Sequence, residues 1–198
     1  MNNYEKIINL SKESNGYVSI KVIRANNINH KFLYDLVKKG DFEKVSKGLY
    51  ILKDEFVDEY YKIHYASKYV VYSHATALYF YGLSDRVPLV IDITVPYFYN
   101  GSLQKNKNVN LKYVKREIWQ LGINEIETPF GNKVKAYDVE RTICDIIKNK
   151  DEVDIEIFTK ALNRYVNLDE KDINKLIKYA KVLKIEDKVR EYMEVLLK

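Results

Sequence analysis

The chain has 198 residues, 46% of them hydrophobic and 31% charged, with a formal net charge of +5 and a pI near 8.9. That length allows one large or two small domains, the apolar fraction supports packed cores and excludes disorder, and the mild basicity helps in meeting a polyanion without amounting to a charge-only nucleic-acid binder. A single cysteine, Cys144, excludes an intramolecular disulfide, and no apolar run reaches membrane-spanning length, so the expectation is a cytoplasmic protein with no membrane partner.

Residues 3 to 13, NYEKIINLSKE, set Tyr4, Ile7, Ile8 and Leu10 at helical spacing and predict a first core-forming helix that stops at Gly16. Tyr17 and Val18 suit a short extended piece, and Ser19 suits the N-cap of a helix through Ala25 that turns Val22 and Ile23 inward and leaves Lys21 and Arg24 outside. Asn26-Asn27-Ile28-Asn29 is a turn of residues that tolerate left-handed backbone, pinned by Ile28. A helix from about His30 to Lys39 buries Leu33, Leu36 and Val37 and presents Lys31, Tyr34 and Lys38 on one outward face, with Gly40 as its stop. Phe42 to Ser46 and Leu49 to Leu52 then read as a hairpin around Lys47-Gly48.

That order is a winged helix-turn-helix, in which the second helix of the motif enters the major groove and the wing touches flanking backbone. Asn29, His30, Lys31 and Tyr34 are the candidates for base edges and adjacent phosphates; Lys21, Arg24, Lys38, Lys44 and Lys47 are the candidate phosphate contacts. The same lysines would also serve an ordinary solvated surface, and winged helices also act as protein-interaction modules.

The predicted fold class is α+β: a winged helix-turn-helix over residues 1–56, then a mixed α/β domain over 57–198 with a small sheet and a helical C-terminus. DEFVDEYYKIHYASKY reads as a connecting helix, Ser73 as the N-cap of a helix to about Tyr81, and Leu89 to Val95 as a central strand closed by Pro96. Tyr97 to Asn110 reads as an exposed loop, and strands are expected at Leu111 to Lys115, Glu125 to Thr128 and Lys133 to Ala136, the last two joined through Pro129-Phe130-Gly131-Asn132. Asp138 caps the helix VERTICDIIK around an inward Cys144, and three amphipathic helices near 154–166, 169–182 and 185–197 finish the chain, with Asp169 and Asp187 near two of the starts.

Catalytic signals are weak. His74 lacks a nucleophile or a second histidine at metal spacing and reads as structural. Gly101-Ser102 would open a nucleotidyltransferase signature, but no paired aspartates follow it. Asp92, Glu125 and Glu127 put carboxylates on strands without the lysine that a metal-dependent nuclease would place beside them, and Arg141 and Asp145, one helical turn apart, suit a structural ion pair. No catalytic or metal-ligating residue and no cofactor are expected.

Three stretches together resemble the AbiEi-type antitoxins of bacterial type IV toxin-antitoxin (abortive infection) systems. They are GYVSIKVIRANNINHKFLYDLVKKGDFEKVSKGLY, SHATAL at Ser73 to Leu78 followed by ITVP at Ile93 to Pro96, and ERTICDII at Glu140 to Ile147, and they span most of residues 1 to 150. The resemblance implies a non-enzymatic transcriptional autorepressor that binds double-stranded DNA at inverted repeats in its own promoter. It further implies a second domain that counters a nucleotidyltransferase-like toxin without requiring a stable complex. The sequence departs from the family pattern where Asn26-Asn27 replaces a common glycine and where the recognition helix carries few arginines. The alternatives are a metal-dependent nucleic-acid-processing enzyme and a winged-helix protein-interaction adaptor.

Overall fold

In the computed structural model, which describes residues 2–197, the contacts divide into two compact units. Helix α1 (Asn3–Lys12) is opened by a reciprocal cap: the Asn2 side chain accepts the Glu5 N–H and the Glu5 carboxylate accepts the Asn2 N–H, each at 2.9 Å. Strand β1 (Tyr17–Ser19) leads directly into α2 (Ile20–Ala25), where Ser19 Oγ accepts the Val22 N–H at 3.2 Å. The turn that follows holds Asn27 at φ 55° and buries Ile28.

Helix α3 (Lys31–Lys39) ends on Gly40 at φ 84°, with the Gly40 N–H bonded to Val37 O at 3.1 Å and the Asp41 N–H to Leu36 O at 3.0 Å. This left-handed closure satisfies two carbonyls that the helix would otherwise leave open and is one glycine adopts without a Cβ penalty. Strands β2 (Phe42–Ser46) and β3 (Leu49–Leu52) form the hairpin, and β3 pairs antiparallel with β1 on its other side, giving the order β1-β3-β2. Ile7, Val18, Ile23, Leu33, Leu36 and Phe42 form the buried cluster on which the three helices rest.

Two expectations for this region change. Val22 is 39% exposed rather than turned inward, because a helix of six residues has room for one inward stripe and Ile23 fills it. The division near residue 56 moves: the first unit continues to Lys68 and takes in Glu127–Lys133 as well. The cause is packing, since Tyr61 and Tyr65 of α4 (Glu59–Ala66) lie against Tyr17, Leu49 and Ile51 of the small sheet. Buried Asp58 gathers the pieces. Its Oδ1 accepts the Tyr60 and Tyr61 N–H groups that start α4, and its Oδ2 accepts Thr128 Oγ1 at 2.6 Å and Asn132 Nδ2 at 2.9 Å.

The second unit contains β4 (Val71–Tyr72), α5 (His74–Phe80), β5 (Ile91–Pro96), β6 (Val109–Val114), α6 (Arg116–Gln120), β7 (Ile123–Glu127) and β8 (Lys133–Tyr137), apart from the end residues Glu127 and Lys133, which belong to the first. Helices α7 (Val139–Lys148), α8 (Ile155–Val166), α9 (Ile173–Leu183) and α10 (Glu186–Leu196) complete it. Its mixed sheet runs β6-β5-β4-β8-β7, with β5 parallel to β6 and antiparallel to β4, and β4 parallel to β8. Strand β5 is thus paired on both edges, but it begins at Ile91. The β6 register starts opposite Ile91 at Val109, so Leu89, 93% exposed, and Val90 have no strand to join. The segment between β5 and β6 is also more ordered than a plain loop, with a 3-10 turn at Ser102–Lys105 that buries Leu103.

Helix α7 is the centre of this unit. Every residue from Glu140 to Ile147 is buried, so the helix is enclosed on all sides although its sequence is charged. Asp138 caps it through the Arg141 N–H at 2.9 Å. Asp154 and Asp172 cap α8 and α9, so Asp169 lies outside the helix it was expected to start, while Asp187 falls in the first turn of α10. The protein is therefore α+β, a winged helix-turn-helix followed by a mixed α/β unit with a helical C-terminal run. Among the described residues no helix is long and apolar enough to cross a membrane.

Candidate nucleic-acid interface

All nine side chains picked out for nucleic-acid contact, Lys21, Arg24, Asn29, His30, Lys31, Tyr34, Lys38, Lys44 and Lys47, are exposed. Lys31, Tyr34 and Lys38 lie along the outward face of α3, opposite buried Leu33 and Leu36. At its entry Asn29 Oδ1 accepts the Lys31 N–H at 2.9 Å. That bond steadies the turn into the helix, and the Asn29 amide NH₂ is its donor toward a base edge. The His30 ring sits edge-on to Tyr34 at 5.3 Å, which makes these two side chains one aromatic step on the helix surface.

The wing joins the same surface through tyrosine. Lys44 and Tyr50 are cross-strand partners, which sets their side chains on one face of the hairpin, and the Tyr50 ring lies 6.3 Å from Tyr34. Burial, reinforced by the neighbouring Tyr34, holds the Tyr50 hydroxyl above the usual tyrosine range, so it keeps its proton at neutral pH. Lys47 occupies the turn, and Tyr65 of α4 steadies that tip by donating to Gly48 O at 3.1 Å. A β-bulge between Lys44 and Ser46 offsets the strand there.

Among the described residues, none of Lys21, Arg24, Lys31, Lys38, Lys44 and Lys47 is within ion-pair distance of a carboxylate. Their charge is open to solvent and to a polyanion. Lys39, by contrast, lies 4.8 Å from the Tyr4 ring centroid and is drawn toward α1. Lys53, exposed just past β3, is a further open cation that the sequence reading passed over; its only signal was a lysine directly following the second wing strand.

The nuclease alternative loses its geometry in the sheet. Two strands, β4 and β8, stand between Asp92 on β5 and the β7 that carries Glu125 and Glu127. At about 4.8 Å per strand step that is roughly 14 Å, too far to share an ion. Asp92 Oδ1 instead accepts Asn110 Nδ2 at 2.8 Å. Arg141 and Asp145 form the expected pair at 3.0 Å, and both side chains are buried.

No protein-family model matches the sequence, and no curated protein matches it. Among solved structures the chain is similar to the crystal structure of the RV2827C protein from Mycobacterium tuberculosis, with a TM-score of 0.59 at 11% identity over 100% of this chain and 82% of that one. At that identity the likeness is one of fold.

Proposed function

We propose that the chain is a DNA-binding transcriptional autorepressor and antitoxin of a type IV toxin-antitoxin (abortive infection) system, acting in the cytoplasm against a nucleotidyltransferase-like toxin. The observation that carries the DNA half is the face of α3: Lys31, Tyr34 and Lys38 exposed in a row, with Lys44 and Lys47 on the wing and no carboxylate pairing any of these lysines among the described residues. A helix with this face suits the major groove, and lysines on either side suit phosphates. Lysines act as point charges, so phosphate contacts supply most of the affinity, and sequence choice comes from Asn29, His30, Lys31 and Tyr34 together with the spacing of paired half-sites.

The antitoxin half rests on the resemblance of SHATAL, ITVP and ERTICDII to the family's second-domain landmarks. Two experiments test the proposal. Salt-titrated gel shifts compare DNA upstream of the chain's own reading frame with random duplex, and equal affinity for the two removes the repressor reading. Co-expression with the nucleotidyltransferase-like toxin that the proposal places beside its gene reads out growth, and continued arrest removes the antitoxin reading.

A further inference from the structure

The second unit contains a cavity of about 350 Å³ that the DNA-binding reading does not use, with an acidic acceptor at its floor and lysines at its rim. The floor is built by α7. Arg141 donates from Nε to Asp145 Oδ1 at 3.0 Å, donates from one terminal nitrogen to the carbonyls of Ile118 and Leu121 at 2.7 Å each, and lies 4.0 Å from the centre of the Tyr137 ring. This fixes Asp145, whose side chain is 7% exposed. Its second oxygen, Oδ2, is buried yet accepts no hydrogen bond among the described residues. Native structures seldom leave a buried carboxylate oxygen in that state unless something else occupies the site.

One wall is held in a strained conformation. His74 has φ +47°, in the left-handed region that L residues with a side chain avoid, and it is buried. Its Nε2 accepts from Asn149 Nδ2 at 2.8 Å and its Nδ1 lies 2.9 Å from Ser73 Oγ, so the ring is gripped from both sides where it lines the cavity. At the mouth are Lys112, which also pairs with Glu152, and the exposed Lys115 and Lys148, neither of which meets a carboxylate among the described residues. Tyr97 and Tyr113 add aromatic surface beside them.

These features select against simple ligands. Arg141 matches the charge of Asp145, so the open charge here is that of the rim lysines, while Asp145 Oδ2 still lacks a donor. The fitting molecule has an anionic end, a hydrogen-bond donor at the opposite end and a flat body between them. We propose that this cavity binds a nucleoside phosphate, its phosphate against Lys112, Lys115 and Lys148 and a hydroxyl or amino donor of the sugar or base on the Asp145 carboxylate. The volume lies at the small end of the range of about 300–1,000 Å³ usual for ligand pockets, which suits one nucleotide unit. The source is either a free mononucleotide or the terminal nucleotide of a single strand, since both present the same chemistry.

Calorimetric titration of the full chain with the four ribonucleoside 5′-monophosphates, their nucleosides, inorganic phosphate and single-stranded trinucleotides tests this. At least one monophosphate or trinucleotide is expected to bind tenfold or more tightly than inorganic phosphate and than the matching nucleoside. Lys148→Ala is expected to weaken that binding at least tenfold with an unchanged melting temperature, and Asp145→Asn, which replaces the free acceptor by a donor, to erase the preference over inorganic phosphate. A trinucleotide that outbinds its mononucleotide tenfold identifies a strand end as the ligand; equal binding identifies the free nucleotide. Inorganic phosphate binding as well as every nucleotide, or Lys148→Ala binding unchanged, overturns the proposal. Lys31→Ala with Lys38→Ala is expected to leave nucleotide binding intact, so the site stands or falls independently of the DNA-binding reading.

Discussion

In the second unit Arg86, Lys112, Lys160, Arg164 and Lys175 each reach a carboxylate, and Arg141 is buried against one. In the first, Lys21, Arg24, Lys31, Lys38, Lys44 and Lys47 stand exposed with no acidic partner among the described residues. A net charge of +5 therefore says little about function until it is placed. Cations neutralised where they sit contribute to holding a fold, and their loss is read as instability. Open cations on a helix and wing contribute little to the fold and are available to phosphate, and their loss is read as weaker, less salt-sensitive binding.

The sharpest way to break this contrast is Arg141→Ala. It leaves Asp145 buried without its guanidinium, frees the carbonyls of Ile118 and Leu121, and is expected to cost about 3–5 kcal/mol of stability. Urea or thermal unfolding measures that loss. The salt slope of DNA binding, measured well below the midpoint of unfolding, is expected to stay at the wild-type value. A stable Arg141→Ala protein with altered DNA binding would mean that the two kinds of cation are not divided as described.

The next effect tests where the first unit draws its stability if not from charge. Asn27 holds φ 55°, which asparagine tolerates and a β-branched residue does not. Asn27→Val is expected to cost about 1–2 kcal/mol, whereas Asn27→Gly, free of the Cβ penalty, is expected to be close to neutral. Chemical denaturation of the pair separates backbone strain from loss of the side chain. Equal destabilisation by both would place the contribution in the Asn27 amide instead.

That turn was legible in sequence because local chemistry dictates it, and so were Ser19 as a cap, Gly40 as a stop and the Lys47-Gly48 wing. What was not legible depended on partners distant along the chain. Asp58 reads as an unremarkable acid until Thr128 and Asn132 arrive from 70 and 74 residues away. The exposure of Val22 and the late start of β5 at Ile91 likewise depend on which neighbouring positions find partners. In the candidate interface every side chain came from one contiguous stretch, so helical spacing alone could place it outside. The cavity floored by α7 takes residues from six separate elements or their flanks, and no spacing rule joins His74 to Asp145.

Lys175 makes a smaller test on the paired side. It lies 3.0 Å from Asp138 and 3.1 Å from Glu140 at the start of α7. Burial lowers its pKa, but hydrogen bonds to Asp138 and Glu140 outweigh this and leave it raised above the ordinary lysine value of 10.5. A raised folded-state pKa contributes stability that is fully present below the unfolded value and is lost as pH rises through the folded one. Stability from this group is therefore expected to be flat across neutral pH and to decline only above about 10.5. Because the ammonium is about a third exposed, Lys175→Ala is expected to cost about 1 kcal/mol and to remove that alkaline decline, as pH-stepped urea titrations can show.

The smallest effect on stability carries the most information about function. Lys31→Ala, Lys38→Ala and Lys47→Ala remove exposed ammonium groups that meet no carboxylate among the described residues, so each is expected to change unfolding free energy by less than about 0.5 kcal/mol. If each lysine meets one phosphate, each substitution makes the slope of log K against log salt less negative by about 0.9, and the triple variant by about 2.7. Lys160→Ala, which removes a cation already paired with Asp85, is the control and is expected to leave the slope unchanged. The distinction lies in what each lysine displaces. A lysine already neutralised by a carboxylate releases no condensed counterion when DNA approaches, whereas an open one releases nearly a full equivalent. A slope that fell equally for Lys160→Ala and Lys31→Ala would show binding by overall charge, with no preference for the face of α3. A slope that moved only for the α3 and wing lysines would locate the phosphate contacts on the winged helix, and would do so without knowledge of the operator sequence.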